Sequence, residues 1–279
     1  MSTIDPQKIN TNVPGATCLD PRAVRFYTNA MRTLQEAEID FLVGGAYAFF
    51  RYTDIERHTC DFDIFVRQQD CKRVLKLLSA KSKFRSELSF PHWLGKVYWE
   101  TLYIDVIFSS GNGIARVDDE WFTNATRDEV LGVPVNLVPA EEMIWSKGYI
   151  MERERYDGAD IAHIIHARGE SLDWERLLRR FGEHSSVLLS HLVLFDFIYP
   201  GESGKIPDTV MNELLQRAKR AHKEPSKSMG KKQICQGTLL SREQYLTDLD
   251  VWGYKDARIE RGFMTAASTR HWTAAIQFK

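Results

Sequence analysis

The sequence predicts an α+β fold, with a small mixed β-sheet core followed by a helical C-terminal region. In the first half, short runs rich in β-branched and aromatic residues alternate with helical patterns. After Pro139, apolar residues recur almost entirely at helical spacing. This order of elements is typical of a sheet layered with helices and extended by a helical bundle. We expect an N-terminal arm over residues 1–20, a core over 21–138 and a mainly helical region over 139–279.

The predicted core begins with a helix at Pro21. A short strand over 39–43 leads into the pair Gly44-Gly45, and a short buried helix is expected over 46–50. Pro134 places the strand over 133–138 at a sheet edge, because proline has no N–H to donate to a neighbouring strand. The remaining core predictions are strands at 62–66, 96–99 and 102–108 and a helix over 70–80.

The C-terminal region is predicted to consist of helices joined by polar loops. A helix begins at Pro139-Ala140, where Glu141 and Glu142 are typical of a first turn. Residues 187–198 are apolar enough to predict a buried core helix, and an amphipathic helix is expected near 207–220. A last helix is predicted over 241–252.

Composition places the chain among ordinary globular proteins and excludes several function classes. Of its 279 residues, 43% are hydrophobic and 27% charged, and the net charge is −1, so no global field would attract nucleic acid. The four cysteines form no C-x-x-C pair, which predicts reduced thiols rather than a zinc site. No apolar run approaches the ~20 residues of a membrane span. We therefore expect a cytoplasmic protein that does not bind membranes.

Three aspartates form the most informative pattern. Asp61 and Asp63 alternate with Phe62 at the start of a strand, so both carboxylates lie on one face. Asp105 interrupts an apolar strand, where an unpaired carboxylate is costly to bury. If the two strands are neighbours, three carboxylates converge, and Mg²⁺ prefers such oxygen ligands, with Mn²⁺ as the alternative. This pattern predicts a metal site for phosphoryl transfer, which commonly uses two ions.

Gly44-Gly45 lies between a strand and a helix, where the backbone can approach a phosphate closely. The helix N-terminus adds unpaired N–H groups that favour an anion. A tight turn without a ligand explains the same residues, and the two interpretations are compatible.

With these motifs, the chain resembles the DNA polymerase β-type nucleotidyltransferase superfamily over roughly residues 35–170. That superfamily has a glycine-rich turn opening a helix, D-x-D on the next strand and a third acidic residue on a later strand. The spacing is similar to that of CCA-adding enzymes and the AbiEii-like, minimal nucleotidyltransferase group. The resemblance implies a nucleotide site that includes His58 and Thr59, with His58 near the position where relatives often have arginine.

A second segment fits the AbiEii-like group, in which a helix with a lysine is followed by an Arg-x-x-Asp-x-x-Asp pattern. Lys147 matches the lysine, and Arg153, Asp157 and Asp160 approximate the pattern. The resemblance implies that Lys147 neutralises triphosphate charge and that Asp160 belongs to the nucleotide site. Ordinary ion pairs on helix surfaces explain the same residues, and Asp160 could equally orient Lys147.

These observations predict an enzyme that transfers a nucleoside monophosphate from a nucleoside triphosphate to a hydroxyl and releases pyrophosphate. The alternative is a catalytically inactive module of the same fold that senses nucleotides or binds a partner. The acceptor stays open among a small molecule, a transfer RNA end and a protein side chain. The near-neutral charge does not favour long nucleic acids, and a toxin–antitoxin role is implied by family resemblance alone.

Overall fold

Seven strands form one mixed sheet in the computed structural model, which describes residues 20–57, 61–80, 84–223 and 233–275. The strands are β1 (Leu42–Val43), β2 (Asp61–Phe65), β3 (Arg85–Phe90), β4 (Leu94–Trp99), β5 (Leu102–Ile107), β6 (Thr126–Val130) and β7 (Val133–Leu137). Their spatial order is β3-β4-β5-β2-β1-β7-β6. The pairs β2–β5 and β1–β7 are parallel and the other pairs antiparallel. The predicted mixed sheet is therefore confirmed.

Helices flank this sheet and make up most of the C-terminal half, as the predicted fold class requires. Those of the first half are α1 (Pro21–Glu36), α2 (Gly45–Thr53), α3 (Gln68–Leu78) and α4 (Asp119–Thr123). Those after the sheet are α5 (Ala140–Lys147), α6 (Gly158–Arg168), α7 (Trp174–Phe181), α8 (Ser185–Ile198), α9 (Asp208–Lys223), α10 (Leu246–Asp250), α11 (Ala257–Glu260) and α12 (Ala266–Ala274). Strands β8 (Ile234–Cys235) and β9 (Lys255–Asp256) form a separate parallel pair. Among the described helices, none combines the length and apolar character of a membrane span.

The two faces of the sheet differ because side chains alternate along each strand. One face is apolar and buried, and it includes Phe62, Ile64, Val97, Ile104 and Val106. Helices α1 and α3 lie against this side of the core, and the Tyr27 ring of α1 stacks on Phe62 at 4.9 Å between centroids. The opposite face of the same strands therefore carries the polar side chains that the sequence singled out.

The prediction that residues 133–138 form an edge strand is wrong, since β7 lies between β1 and β6. Pro134 is tolerated there because β1 is only two residues long and pairs with β7 at Leu137 alone. Beyond the end of β1, the Pro134 carbonyl accepts a hydrogen bond of 2.7 Å from the Gln35 side chain of α1. Proline therefore occupies a position where no neighbouring strand needs the N–H that it lacks.

Two predictions about the C-terminal helices are also wrong. Helix α8 is not a buried core helix, because Val193, Leu194, Phe197 and Ile198 expose one of its faces while only the other packs inward. Residues 241–252 are not one helix, since only the five residues of α10 are helical there. The Ser241 hydroxyl bonds the Glu152 carboxylate and also accepts from the Gln244 N–H, which holds the chain in a turn.

Candidate active site

The parallel pairing of β2 and β5 brings the three predicted aspartates together. Asp63 lies directly opposite Asp105 in the register, and Asp61 lies two residues before Asp63 on the same face. One carboxylate oxygen from each of the three lies within 4.8 Å of the others. Asp61 and Asp63 are partly exposed and the Asp105 side chain is 14% exposed, so the carboxylates are partly, not fully, withdrawn from water.

Burial, together with the crowding of like charges, sets the electrostatics of this cluster. Burial, followed by the charges of Asp61 and Asp105, raises the pKa of Asp63 to about 7. Burial also raises the pKa of Asp105, and the hydrogen bond from Lys96 opposes that rise. Carboxylates this close resist full ionisation unless a cation lies among them.

The double glycine allows the start of α2 to pack closely against this cluster. Gly45 has φ +54°, and a Cβ built on it would lie 1.9 Å from the Asp63 Oδ2 atom. A Cβ on Gly44 would lie 2.3 Å from the Phe65 ring, and the Gly44 N–H donates to the Asp63 carbonyl at 3.0 Å. Only glycine therefore permits both the backbone conformation and the close approach. The arrangement places the N-terminus of a nine-residue helix beside the carboxylates.

Lys147 and Asp160 form part of an ion-pair network beside the triad. Lys147 is the last residue of α5, and its ammonium lies 2.7 Å from both Asp157 and Asp160 at the start of α6. The charges of Lys147 and Arg155 act on Asp63 and lower its pKa against the larger effect of burial. Asp160 is thus bound to Lys147, and the network places positive charge next to the carboxylate cluster.

Two arginines complete this network. Arg155, not Arg153, pairs with Asp157, through two hydrogen bonds of 2.9 and 3.0 Å. Burial would raise the pKa of Asp157, but these bonds and the Lys147 charge outweigh it and hold the pKa at about 2. Arg57 pairs with Asp160 at 2.5 Å and lies over the Phe49 ring. The predicted residues His58 and Thr59 lie outside the described residues, and Arg57 directly precedes them.

Lys96 is a site residue that the sequence analysis missed. It lies on β4 directly opposite Asp105, and its ammonium is 2.5 Å from Asp105 Oδ1. The same ammonium lies 4.2 Å from the centroid of the Tyr103 ring. Only the register of β4 against β5 reveals this pair, because the residues are nine apart in the chain. No motif in the sequence marks it.

The donor set fits a divalent cation. Three carboxylates offer oxygen ligands, the type that Mg²⁺ and Mn²⁺ prefer. Burial raises the pKa of Asp63, and the charges of Asp61 and Asp105 raise it further; a cation among the carboxylates would relieve the repulsion between these charges. Among the described residues, this is the one group of three or more potential ligands that converges in this way.

No protein-family model matches the chain, and no curated protein does. Solved structures similar to it include an antigenic nucleotidyltransferase-like protein from Paracoccidioides brasiliensis, with 18% identity, 70% of this chain and 99% of that chain covered, and a TM-score of 0.45. The antibiotic-resistance factor ANT(2'')-Ia has 16% identity, 62% and 98% coverage and a TM-score of 0.44. JHP933 from Helicobacter pylori has 13% identity, 74% and 94% coverage and a TM-score of 0.35.

The resemblance to the nucleotidyltransferase superfamily rests on the motifs of this chain alone. The finer assignment to the AbiEii-like group stays a prediction. With TM-scores of 0.35 to 0.45, these similarities identify no activity or substrate for this chain.

Proposed function

We propose that this protein is a nucleotidyltransferase that transfers a nucleoside monophosphate from a nucleoside triphosphate to a hydroxyl group of an acceptor. The observation that carries the proposal is the convergence of Asp61, Asp63 and Asp105 within 4.8 Å, beside the N-terminus of α2. A carboxylate cluster that binds a divalent cation, next to a helix start that binds phosphate, is suited to phosphoryl transfer.

The carboxylates and the network have different tasks in this proposal. Asp61 and Asp63 hold Mg²⁺ or Mn²⁺, with Asp105 completing the set. The bound cation would neutralise charge on the triphosphate and on the leaving group. The start of α2 at Gly44-Gly45 approaches the phosphates, and the ammonium of Lys147, fixed by Asp157 and Asp160, faces them with positive charge. His58 and Thr59 remain proposed nucleotide contacts.

The reaction forms one bond and breaks another at the α-phosphorus. The acceptor hydroxyl oxygen attacks this phosphorus, and the bond to the bridging oxygen of the β-phosphate breaks, which releases pyrophosphate. Asp105 takes the hydroxyl proton, which suits a carboxyl group whose pKa burial has raised. The rest of the rate enhancement comes from holding acceptor and triphosphate in line. Nothing in these contacts selects one acceptor class, so small molecules, transfer RNA ends and protein side chains all remain candidates.

Calorimetric titration with each nucleoside triphosphate tests the proposal, with Mg²⁺ and then with EDTA. We expect binding that requires the metal and is lost in the Asp61→Ala/Asp63→Ala variant. Asp208→Ala/Asp250→Ala is a matched control, because both are exposed aspartates of α9 and α10, outside the seven-stranded sheet. Binding to none of the nucleotides by the folded wild type would overturn the proposal and favour the non-catalytic module. If nucleotide binds but no nucleoside monophosphate is transferred to a small molecule, a transfer RNA or a protein, the proposed catalytic step is wrong.

A further inference from the structure

The ion pair at Asp105 bears on how many cations the site accepts. We propose that the Lys96 ammonium holds the place at Asp105 that a second divalent cation would otherwise take, so that the site binds one metal ion, through Asp61 and Asp63. This inference rests on the proposed function. It revises the two-ion chemistry that the sequence leads us to expect, and it leaves Asp105 to the acceptor hydroxyl instead of to a metal ion.

The first support is the position of Lys96. Its ammonium lies 2.5 Å from Asp105 Oδ1, and the two side chains are only 21% and 14% exposed. The residues face each other across β4 and β5, so the backbone register fixes the pair. An ammonium bound this closely occupies one carboxylate oxygen and repels a second cation on the same carboxylate, more strongly because water is largely excluded.

The second support is that the carboxylate on the other side of Lys96 in the sheet already has other partners. Glu87 lies directly across β4 from Lys96 on the other side. Its carboxylate already accepts hydrogen bonds from Tyr98 at 2.7 Å and from Ser89 at 2.9 Å. The Tyr103 ring below the ammonium adds a cation–π contact at 4.2 Å. These contacts hold Lys96 on Asp105.

The third support is the charge balance. Three carboxylates carry three negative charges, and Lys96 cancels one of them. The remainder matches a single divalent cation, whereas two such cations would leave the cluster with Lys96 positively charged before any phosphate arrives. Lys96 is therefore a positioning residue that sets the metal count and leaves the second Asp105 oxygen for the acceptor hydroxyl.

Equilibrium dialysis of Mn²⁺ tests this inference without any turnover. The probe is Mn²⁺ with the α,β-methylene triphosphate of the nucleoside that binds tightest in the titration above, which cannot be cleaved at the transferred phosphorus. Bound metal per chain is the difference between the two chambers. We expect about one Mn²⁺ in the wild type and in Lys96→Arg, and about two in Lys96→Met, where Asp105 Oδ1 is no longer paired with an ammonium.

The control is Lys205→Met, because Lys205 pairs with Glu170 at 3.3 Å on the surface, and this variant should keep the wild-type count. Two ions in the wild type would overturn this inference and leave the proposed function intact. One ion in a folded Lys96→Met variant would also overturn it, since Lys96 would then exclude nothing. No ion in the wild type would overturn the proposed function and this inference together.

Discussion

At Gly45 the geometry of the site depends on the absence of one atom, the Cβ. A Cβ there would lie 1.9 Å from Asp63 Oδ2, and φ is +54°. We expect Gly45→Ala to weaken binding of the metal–nucleotide complex by roughly tenfold or more, because Asp63 must move, and to cost about 1 kcal/mol of stability from the backbone. Calorimetry and thermal unfolding measure the two effects.

Gly182→Ala separates these effects, since Gly182 has φ +48° and no atom within 4 Å of its built Cβ. It should lose stability from backbone strain alone and bind nucleotide normally. Equal binding losses in both variants would show that backbone strain, and not the contact with Asp63, is responsible.

Asp63 also makes stability depend on pH. Burial and the charges of Asp61 and Asp105 raise its pKa to about 7 in the fold, whereas an unfolded aspartate titrates near ~4. The folded protein therefore holds a proton that the unfolded chain has released, and metal-free stability falls as pH rises from about 4 to about 7. Asp63→Asn should not show this fall in stability, because asparagine does not titrate.

In EDTA at pH 8 we expect the free energy of unfolding of Asp63→Asn to exceed that of the wild type by on the order of 1–2 kcal/mol. At pH 5 this difference between the two proteins should be smaller. Mg²⁺ at pH 8 should stabilise the wild type and not the variant. Thermal unfolding at both pH values provides the measurement, and a gap that does not change with pH would contradict the expectation.

At the scale of single elements, helix α8 presents two faces with opposite consequences. Leu192 is 0% exposed and Phe197 is 82% exposed. We expect Leu192→Ala to cost about 2–5 kcal/mol through the cavity it leaves, and Phe197→Ala to change stability by no more than about 0.5 kcal/mol. Chemical denaturation of both variants compares them within one helix. Similar losses would mean that the Phe197 face is covered in solution.

Elements whose residues all obey one pattern could be predicted from the sequence. Helix α1 was found because its apolar positions recur at helical spacing, and β5 because it is rich in β-branched residues. Strands β3 and β6 were missed because they are polar edge strands, with sequences RSELSF and TRDEV. The apolar content of α8 suggested a buried helix. That prediction failed because composition alone does not say how many elements will pack around a helix.

The residues of the candidate site likewise divide into those that the sequence could predict and those that it could not. The convergence of Asp61, Asp63 and Asp105 followed from alternation along β2 and from one assumption, that β2 and β5 are neighbours, which the sheet order bears out. Lys96 could not be found in this way, because its role depends on the register of a third strand. The replacement of Arg153 by Arg155 as the partner of Asp157 likewise depends on the local turn, in which the Glu152 N–H donates to the Arg155 carbonyl.

At the scale of the whole molecule, the last described segment supports the site from a distance. Residues 233–275 add no strand to the seven-stranded sheet, yet they contact the turn that carries Arg155. The Glu152 carboxylate accepts hydrogen bonds from the Ser241 hydroxyl and from the Arg242 N–H. The Met151 N–H donates to the Leu240 carbonyl at 3.1 Å. The C-terminal segment therefore fixes the turn, and the turn places Arg155 on Asp157.

We accordingly expect Glu152→Ala to weaken nucleotide binding several-fold and to lower stability by about 1–3 kcal/mol, because the buried Ser241 hydroxyl loses its acceptor. The site carboxylates stay untouched, so the metal requirement should persist. Glu154→Ala is the matched control, since Glu154 is an exposed residue of the same turn. Calorimetry and thermal unfolding of the two variants give the comparison. If Glu152→Ala loses stability but binds nucleotide like Glu154→Ala, the C-terminal segment stabilises the fold without positioning Arg155, and the network beside Asp63 is held by α5 and α6 alone.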